Sequence, residues 1–327
     1  MKAVFIREFG GAENLEVREV ANLPTPVADR VLIRVRAAGL NRADLLQRRG
    51  HYPAPKGFPT EIPGLEFAGE VAEIGDEVIN LNIGQRVMGI TAGAAQAEFV
   101  CVPENTLAEI PMNLNFTQAA AIPEAFITAH DAMFTQANLK IGETVLIHAV
   151  GSGVGLAGLQ LAKAAGAIVI GTSRTADKLE KAKEYGLDEA ILMAGESDLA
   201  EIINQTTTGV NVVLDLVGAK YLAANLAALA NLGRLILVGT TAGNKAELDY
   251  SIVMKKRLRI FGTVLRARSS EEKATATRLF SQQVVPLLAK GVIKPVVDRV
   301  FKMEEIRAAH EYLESNASFG KVIVEID

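Results

Sequence analysis

The chain has very few of the residue types that build metal sites and disulfides. Among its 327 residues there are one cysteine, Cys101, four histidines and no tryptophan. A single cysteine cannot form a disulfide within the chain or supply a cysteine-rich zinc site. The histidines are scattered along the sequence and do not make up that shortage. These absences exclude a disulfide-stapled fold and a cysteine-rich zinc domain.

An excess of positive charge and a long apolar run are also absent. The sequence has 34 basic and 38 acidic residues, so it lacks the global positive field on which sequence-independent nucleic-acid binding depends. The most apolar segments, such as Thr144 to Val150, are far shorter than the ~20 residues of a membrane span. The first residues lack the apolar stretch of a signal peptide. We therefore expect a cytoplasmic protein that binds neither nucleic acid nor membrane.

What remains is the composition of an ordinary globular protein. Apolar residues make up 49% and charged residues 22%, against typical values of about 45–50% and about 25%. A length of 327 residues suggests two domains at roughly 150 residues per domain. No internal repeat or low-complexity tract is visible.

The first part of the chain, up to about Pro111, has the pattern of a β domain. Short apolar segments with turn residues between them predict strands; they are KAVFIRE, LEVREV, RVLIRVRAAGL, FAGEVAEIG, RVMGI and QAEFVCVP. Prolines and glycines cluster in residues 51–64, which favours a loop there. One short helix is predicted over Asn41–Arg49. This part indicates a mostly antiparallel β domain.

From about Thr117 the pattern changes to strands that alternate with helices. An alanine-rich helix is predicted over Thr117–Ala137. The strands that follow are apolar throughout; they are TVLIHAV, IVIGTS, EAILM, NVVLDLV, RLILVG and RLRIFGTVL. Helices are predicted between them, including Ala176–Tyr185, Asp198–Gln205 and Tyr221–Ala230. Strands of this kind in this alternation predict a doubly wound parallel sheet covered on both faces.

The last part of the chain does not continue the alternation. A long helix over Ser270–Ala289, a strand PVVDRVF, a helix over Glu304–Glu314 and a final strand KVIVEI follow Arg266. We assign them to the first domain, which makes the domain of alternating strands and helices an insertion. The predicted domains are residues 1–121 with 266–327, and residues 122–265.

A glycine loop joins the first strand and helix of the alternating region. The spacing G-x-G-x-x-G is met by Gly153, Gly155 and Gly158, and the motif follows a predicted strand and opens a predicted helix. Glycines let the backbone approach a pyrophosphate, which then lies against the positive end of the helix. We expect Ser152, Gly153, Val154 and Gly155 to bind a dinucleotide. A turn-forming role for Ser152 is the alternative.

The end of the next strand indicates which dinucleotide is bound. NAD-specific folds carry an acidic residue there, about 20 residues after the glycines, for the ribose hydroxyl. Here the strand ends in Gly171-Thr172-Ser173-Arg174, and Lys178 follows. We expect Ser173, Arg174 and Lys178 to bind the 2′-phosphate of NADPH. The alternative is that both cations are solvated charges at the start of a helix.

Several longer segments carry a family resemblance. They are GLNRADLLQRRGHYPAPKG, PGLEFAGEVAEIG, TQAAAIPEAFITA, VLIHAVGSGVG, GVNVVLDLVG and FGKVIVEI. Together they extend over nearly the whole chain, which resembles the zinc-free quinone oxidoreductase branch of the medium-chain dehydrogenase/reductase superfamily. The resemblance implies an α/β protein with a GroES-like, β-rich catalytic domain and a doubly wound parallel Rossmann domain that binds NADPH.

The resemblance also indicates whether a catalytic zinc ion is expected. The ligand places of zinc-dependent members fall at Asn41, at Leu65 and near Glu124, and these residues do not form a cysteine and histidine ligand set. Glu66 remains from the zinc motif. We therefore expect no metal.

Site residues are implied by the same resemblance. Asn41 and Tyr52 line the substrate pocket, where either can donate a hydrogen bond to the acceptor oxygen. The alternatives are a helix N-cap role for Asn41 and packing against neighbouring prolines for Tyr52. Asp44 is expected to be structural.

Further cofactor contacts follow from the resemblance. Val238 is expected to bind the cofactor, and Val264 and Leu265 are expected near the nicotinamide. Lys321 is expected to reach the phosphate, with a structural role as the alternative. His148 ends an apolar strand and is expected to be a core histidine with its polar atoms satisfied.

The expected activity is zinc-independent hydride transfer from NADPH to a quinone. The alternative reaction reduces the carbon–carbon double bond of an enone, an alkenal or an enoyl thioester. A non-enzymatic protein that only holds the nucleotide is a third reading. A homodimer is expected by resemblance, and because a long apolar strand over Arg257–Leu265 would otherwise form an exposed sheet edge. The basic run Lys255–Arg259 is expected to be a solvated or subunit-contact surface.

Overall fold

The computed structural model describes residues 1–193 and 199–327 and divides them into two compact units. Unit 1 consists of Met1–Ile127 and Leu265–Asp327, and unit 2 of Thr128–Val264. The domain boundaries predicted from the sequence lie at residues 121/122 and 265/266. The helix predicted over Asp198–Gln205 begins at a residue outside the described ranges; the helix found there is Leu199–Thr206.

The strands and helices in chain order are as follows. The strands are β1 (Lys2–Ile6), β2 (Leu15–Glu19), β3 (Arg30–Leu40), β4 (Glu66–Ile74), β5 (Arg86–Ile90), β6 (Phe99–Pro103), β7 (Leu107–Glu109), β8 (Thr144–Ile147), β9 (Ile168–Ser173), β10 (Glu189–Leu192), β11 (Val210–Asp215), β12 (Leu229–Leu237), β13 (Arg259–Gly262), β14 (Val297–Lys302) and β15 (Lys321–Glu325). The helices are α1 (Arg42–Arg48), α2 (Phe116–Ala119), α3 (Pro123–His130), α4 (Gly153–Ala164), α5 (Ala176–Lys183), α6 (Leu199–Thr206), α7 (Leu222–Ala228), α8 (Tyr250–Lys256), α9 (Ser270–Gln283), α10 (Val285–Ala289) and α11 (Ile306–Glu314).

Unit 1 is built on a seven-stranded sheet. Its strand order is β14-β15-β3-β4-β5-β7, and β6 pairs with the other half of β3. All these pairs are antiparallel except β14 with β15. The last part of the chain therefore contributes two strands, β14 and β15, to the same sheet as β3 from the first part. Apolar side chains of β3, β4, β15 and α11 fill the core beneath this sheet.

Unit 2 is a six-stranded parallel sheet with the order β10-β9-β8-β11-β12-β13. The order reverses direction between β8 and β11, which is the switch point where doubly wound sheets bind ligands. Buried strands such as β8 and β11 lie in the middle of the sheet, as their apolar sequences require. The predicted fold class, a β-rich GroES-like domain with a doubly wound Rossmann domain, is confirmed.

The helix predicted over Thr117–Ala137 is wrong as a single element. Asn115 caps α2 by accepting the Gln118 amide at 2.8 Å, and the helix ends at Ala119. Pro123 has no amide hydrogen to continue it and begins α3 instead, as prolines do at first helical positions. A turn of π-helix, Asp131–Gln136, follows α3.

Two other elements are shorter than predicted. The apolar edge strand expected over Arg257–Leu265 contains only the four residues of β13, because Arg257 is in the left-handed conformation with φ of 52° and ends α8. The helix expected over Ser270–Ala289 is divided just before Pro286. In the described part of the chain, none of the helices has the length and hydropathy needed to cross a membrane.

Candidate functional site

The glycine loop of unit 2 begins where β8 ends. Ala149 has a left-handed φ of 48°, and its carbonyl accepts the Ser152 amide at 2.9 Å. The chain then enters α4, whose first turn is capped by the Ser152 hydroxyl; it accepts the Gly155 amide at 3.1 Å. The amides of Gly153 and Val154, also in this turn, have no acceptor within the helix. Both residues are half-buried.

Gly155 lets the helix start very close to the preceding turn. A Cβ at this position would lie 2.6 Å from the Ala149 carbonyl oxygen and 2.7 Å from that of Val150, so no side chain fits. A compact turn followed by free helix amides is a site for an anion, because the amides and the positive helix end both face it. The loop residues therefore fit a dinucleotide pyrophosphate.

The end of β9 carries the residues predicted to recognise the 2′-phosphate. The Ser173 side chain is buried, and its hydroxyl accepts the Thr175 amide at 3.2 Å. Arg174 is exposed and Lys178 is half-buried in the first turn of α5. The same turn carries Asp177, whose carboxylate forms a 2.9 Å ion pair with Lys181 and is not indicated by the sequence motif.

A buried network fixes the strand ends that carry these residues. The His148 ring is fully buried; its Nδ1 lies 2.9 Å from the Thr172 hydroxyl and its Nε2 lies 2.6 Å from the Asn225 amide oxygen. Asn225 in turn donates to the Asp215 carboxylate at 3.1 Å. Because that amide oxygen can only accept, Nε2 carries the proton and Nδ1 accepts from Thr172. Burial lowers the pKa of His148. Its expected role as a satisfied core histidine is confirmed.

The other residues expected to bind the cofactor, Val238, Val264 and Leu265, are divided between the units. Val238 follows β12, is half-buried, and donates its amide to the Asp215 carbonyl at 2.9 Å. Val264 is the last residue of unit 2 and is 53% exposed. Leu265 is the first residue of the second segment of unit 1 and is buried.

The main polar cluster of unit 1 joins three of its elements. Lys321, at the start of β15, places its ammonium 2.6 Å from the carboxylate of Glu66 on β4. The same ammonium donates to the Asn41 amide oxygen and to the Leu40 carbonyl, both at 2.7 Å. Asn41 precedes α1, and its side-chain amide nitrogen donates to the Glu66 carboxylate at 2.8 Å. We call Asn41, Glu66 and Lys321 the Lys321 cluster.

The donors of this cluster are engaged within unit 1. An ammonium has three donors, and those of Lys321 have three acceptors, Glu66, Asn41 and Leu40. The side-chain nitrogen of Asn41 donates to Glu66 and, at 3.3 Å, to the Gly39 carbonyl. A hydrogen bond from either residue to a ligand would therefore require one of these bonds to break.

Asp44 joins α1 to the loop that precedes β4. Its buried carboxylate accepts hydrogen bonds from two main-chain amides, that of Asn41 at 2.7 Å and that of Gly64 at 3.0 Å. Gly64 has a φ of 112°, which favours glycine, and a Cβ there would lie 2.5 Å from the Gln96 amide nitrogen. Burial raises the pKa of Asp44 to about 6, against the amide hydrogen bonds and the Lys321 charge, which lower it. These contacts support the structural role expected for Asp44.

Glu124, at the start of α3, is the third carboxyl group of this region. Its main-chain amide donates to Glu66 at 2.9 Å, while its own carboxyl forms no hydrogen bond with any residue in the described ranges. Desolvation and the nearby Glu66 charge raise the pKa of Glu124 to about 8, although Lys321 lowers it. The carboxyl is therefore mostly protonated at neutral pH.

Tyr52 lies beside Arg266, which also contacts Gln47; the sequence motifs indicate neither residue. The guanidinium of Arg266 donates to the Tyr52 carbonyl at 2.9 Å, and its Cζ lies 5.0 Å from the centre of the Tyr52 ring. Arg266 also donates to the Gln47 amide oxygen at 2.5 Å. No sequence spacing rule connects these residues, which are brought together by the fold. Burial raises the pKa of Tyr52, and the Arg266 charge lowers it.

The residues at the zinc ligand places do not fit a zinc ion. Asn41 is engaged by Glu66 and Lys321, and Leu65 is aliphatic. Glu124 is the one carboxyl among these three positions, and a cation, Lys321, already lies against Glu66. Within residues 1–193 and 199–327, no group of three histidine, cysteine or acidic side chains is placed to hold a metal ion.

Two family models match the chain. The model described as an alcohol dehydrogenase GroES-like domain covers residues 27–112, which lie in unit 1. The model described as zinc-binding dehydrogenase covers residues 153–282, which begin at the glycine loop of unit 2.

Individual proteins match over the full length. The quinone oxidoreductase of Rattus norvegicus is 31% identical over 328 residues, 99% of this chain and 97% of that protein. The structure of Escherichia coli quinone oxidoreductase complexed with NADPH has a TM-score of 0.89, with 29% identity and complete coverage of both chains. The CurK enoyl reductase has a TM-score of 0.88 and 28% identity, with 100% of this chain and 99% of that one covered. This chain therefore belongs to the medium-chain dehydrogenase/reductase superfamily of NAD(P)-binding oxidoreductases.

Proposed function

We propose that the protein is a zinc-independent reductase that uses NADPH to reduce quinones. The observation that carries the proposal is the Lys321 cluster, in which an ammonium holds Asn41, at a zinc ligand place, and Glu66, next to the ligand place at Leu65. Without a Lewis acid, a simple carbonyl lacks the usual charge stabilisation for reduction. A quinone needs less charge stabilisation, since the charge that develops on it during reduction is delocalised. Quinone oxidoreductases among the full-length relatives agree with this proposal.

The unengaged groups of unit 1 have suitable chemistry for such an acceptor. The Tyr52 hydroxyl forms no hydrogen bond with a described residue, so it can donate one to the oxygen on which charge develops. The protonated Glu124 carboxyl stores a proton at neutral pH. Asn41 orients Glu66 and Lys321. NADPH, when bound, supplies the hydride.

Cofactor preference is proposed to depend on the end of β9. Ser173 replaces the acidic residue of NAD-specific folds, and Arg174 and Lys178 can bind a 2′-phosphate. One hydrogen bond to a charged group contributes about 1.5–3 kcal/mol, or roughly 10–150-fold in affinity.

Cofactor preference is measured as the ratio of kcat/KM for NADPH and NADH. We expect the wild type to favour NADPH and Arg174→Ala to lower the ratio. The matched control is Lys183→Ala, which removes an exposed cation further along α5 and should leave the ratio unchanged. A wild type that favours NADH would contradict the cofactor proposal.

The acceptor is tested by turnover on ortho- and para-quinones, enones, alkenals and enoyl thioesters. Reduction of a carbon–carbon double bond is the second candidate, because an enoyl reductase is among the similar structures. Turnover confined to enoyl thioesters would overturn the quinone proposal. Tight NADPH binding without turnover of any acceptor would favour a protein that only holds the nucleotide. Elemental analysis of active enzyme should find no stoichiometric zinc.

A homodimer in the cytoplasm is also proposed. The edge strand β13 is short, but Ile260 and Phe261 on it are only half-buried. Pairing of this edge with its copy about a twofold axis would cover both residues. Light scattering at micromolar concentration should therefore give twice the chain mass of 34.9 kDa; a single-chain mass would contradict the dimer.

A further inference from the structure

The loop of residues 51–64 carries Tyr52 but has no regular structure to hold it. The structure describes this whole loop and gives it neither helix nor strand. Its prolines, at positions 53, 55, 59 and 63, restrict φ but supply no amide donors. The direction of the Tyr52 side chain therefore depends on the contacts that anchor the loop to the rest of unit 1.

Three side chains supply such anchors along the loop. Arg266 donates to the Tyr52 carbonyl at 2.9 Å, near the beginning of the loop. Gln47 donates to the Thr60 carbonyl at 2.8 Å, and Asp44 accepts the amide of the last residue, Gly64. Gln47 and Asp44 both belong to α1, so of these three side chains Arg266 is the one that reaches the loop from outside that helix. Main-chain amides of Ile6, Ala94 and Gln96 bind the far end of the loop, from residue 61 onward.

The guanidinium of Arg266 joins three separate segments. Its Nε donates to the Ala92 carbonyl at 2.8 Å, its Nη1 to the Tyr52 carbonyl, and its Nη2 to the Gln47 amide oxygen at 2.5 Å. The residue is only 3% exposed, and burial lowers its pKa. A lysine could not replace these contacts, because only a planar fork donates in three fixed directions.

Arg266 also contacts the ring of Tyr52. Its Cζ lies 5.0 Å from the ring centre, within the range of a cation–π interaction. One group therefore fixes both the main chain and the ring of the same residue. The phenol hydroxyl is left without a partner among the described residues, which is the state required of a preorganised donor.

We propose that Arg266 is the positioning residue for the Tyr52 phenol, and that it acts on the acceptor only through Tyr52. This inference rests on the proposed function for the role of the phenol as a donor. A buried charge is costly, and an apolar side chain is often as stable in its place. We explain the buried Arg266 charge by its effect on the Tyr52 phenol, whose direction it fixes. A small misplacement of a hydrogen-bond donor strongly reduces the rate of a reaction.

The first test measures position without any substrate. The chain contains no tryptophan, so Tyr52→Trp introduces a single fluorescent reporter at the proposed position. With Arg266 present, the indole should be poorly accessible to acrylamide. Adding Arg266→Met should raise the quenching constant severalfold, and adding Arg266→Lys should do nearly the same, because it keeps the charge but not the fork.

The matched control is Arg234→Met in the same reporter background. Arg234 also bridges main-chain carbonyls, those of Ala137 and Asn138, but it lies in unit 2. Its removal should leave the quenching constant unchanged. Equal quenching with and without Arg266 would overturn the positioning proposal.

The second test is a double-mutant cycle on kcat/KM. In the wild type, Arg266→Met should lower kcat/KM by about 10–100-fold, because a misdirected phenol loses the one hydrogen bond that it donates to the acceptor oxygen. In Tyr52→Phe it should have less than about a twofold effect, because no hydroxyl remains to be misplaced. Equal losses in both backgrounds would mean that Arg266 is structural and would overturn the inference.

The two tests separate failure of the inference from failure of the proposed function. If the reporter moves on removal of Arg266 but no quinone is reduced by the wild type, the positioning holds and the function is wrong. If quinones are reduced and the reporter does not move, the function holds and the inference is wrong. If Arg266→Met does not fold, the quenching constant is measured in Arg266→Lys instead, because that variant keeps the charge and loses the planar fork.

Discussion

The glycine loop of unit 2 and the Lys321 cluster of unit 1 are built in opposite ways. In the loop the chemistry comes from the main chain: the amides of the first turn of α4, with Gly155 pressed against the preceding turn. In the cluster it comes from side chains on separate elements, with Asn41 and Lys321 separated by 280 residues. A site made of main-chain amides needs local sequence only, whereas a site made of remote side chains needs the whole sheet to be in register.

This difference determines how each site should respond to mutation. Deleting a side chain from the cluster leaves a buried charge unpaired, which affects the stability of the unit. Adding a side chain to the loop distorts a main-chain surface, which affects ligand binding first.

The largest effect is expected from Lys321→Met. Glu66 is fully buried, and its carboxylate would lose a cation at 2.6 Å. Leaving one member of a buried pair uncompensated costs about 3–5 kcal/mol. Urea unfolding should show this loss in the free energy of unfolding.

The control for Lys321→Met is the double variant with Glu66→Gln. Replacing both charges removes the uncompensated carboxylate, so most of the lost stability should return. A single variant that loses less than about 1 kcal/mol, the value of an exposed pair, would show that the cluster is not a buried ion pair in solution.

A smaller effect on stability is expected from Gly155→Ala. The added Cβ would lie 2.6 Å from a carbonyl oxygen, and relieving such a clash costs about 1–3 kcal/mol. NADPH affinity measured by calorimetry should fall by roughly tenfold or more, or about 1.4 kcal/mol, because the first-turn amides move. Gly262→Ala is the matched control in the same unit, since a Cβ there has nothing within 4 Å; a similar loss in both variants would contradict the close-approach argument.

Over a single pH unit, the smallest effect is expected from Glu124→Gln, which changes the pH dependence of stability. The pKa of Glu124 is raised from 4.5 to about 8 in the folded state, so the folded protein holds more protons than the unfolded chain between these values. Stability should therefore fall as pH rises through this window, with a slope of up to about 1.4 kcal/mol per pH unit. Glu124→Gln should remove that contribution.

The measurement for Glu124 is best made between about pH 6.5 and 8. The pKa of Asp44 is also raised, but only to about 6, so its contribution has largely ended above that value. The free energy of unfolding is measured in both proteins at each pH. Identical slopes in the two proteins would contradict a protonated Glu124 at neutral pH.

Much of the fold follows from local sequence. The strand IVIGTS was predicted with the bounds that β9 has, and the alternation of apolar strands and helices predicted the parallel sheet. The predictions that failed concern interruptions: Pro123 and Pro286 divide helices whose apolar patterns look continuous. Arg257 likewise ends α8 in a conformation that composition does not reveal.

The glycine loop and the absence of an acidic residue at the end of β9 can be recognised from the sequence alone, because both depend on residues adjacent in the chain. The contacts of Lys321 and Arg266 depend on the fold. The resemblance implies either a phosphate contact or a structural role for Lys321, and in the structure its ammonium is held by Glu66, Asn41 and Leu40. Arg266 contacts Tyr52 across 214 residues of sequence. The physical reason is that buried charges take their partners from whichever elements the fold brings within hydrogen-bond distance, and this distance is unrelated to separation along the chain.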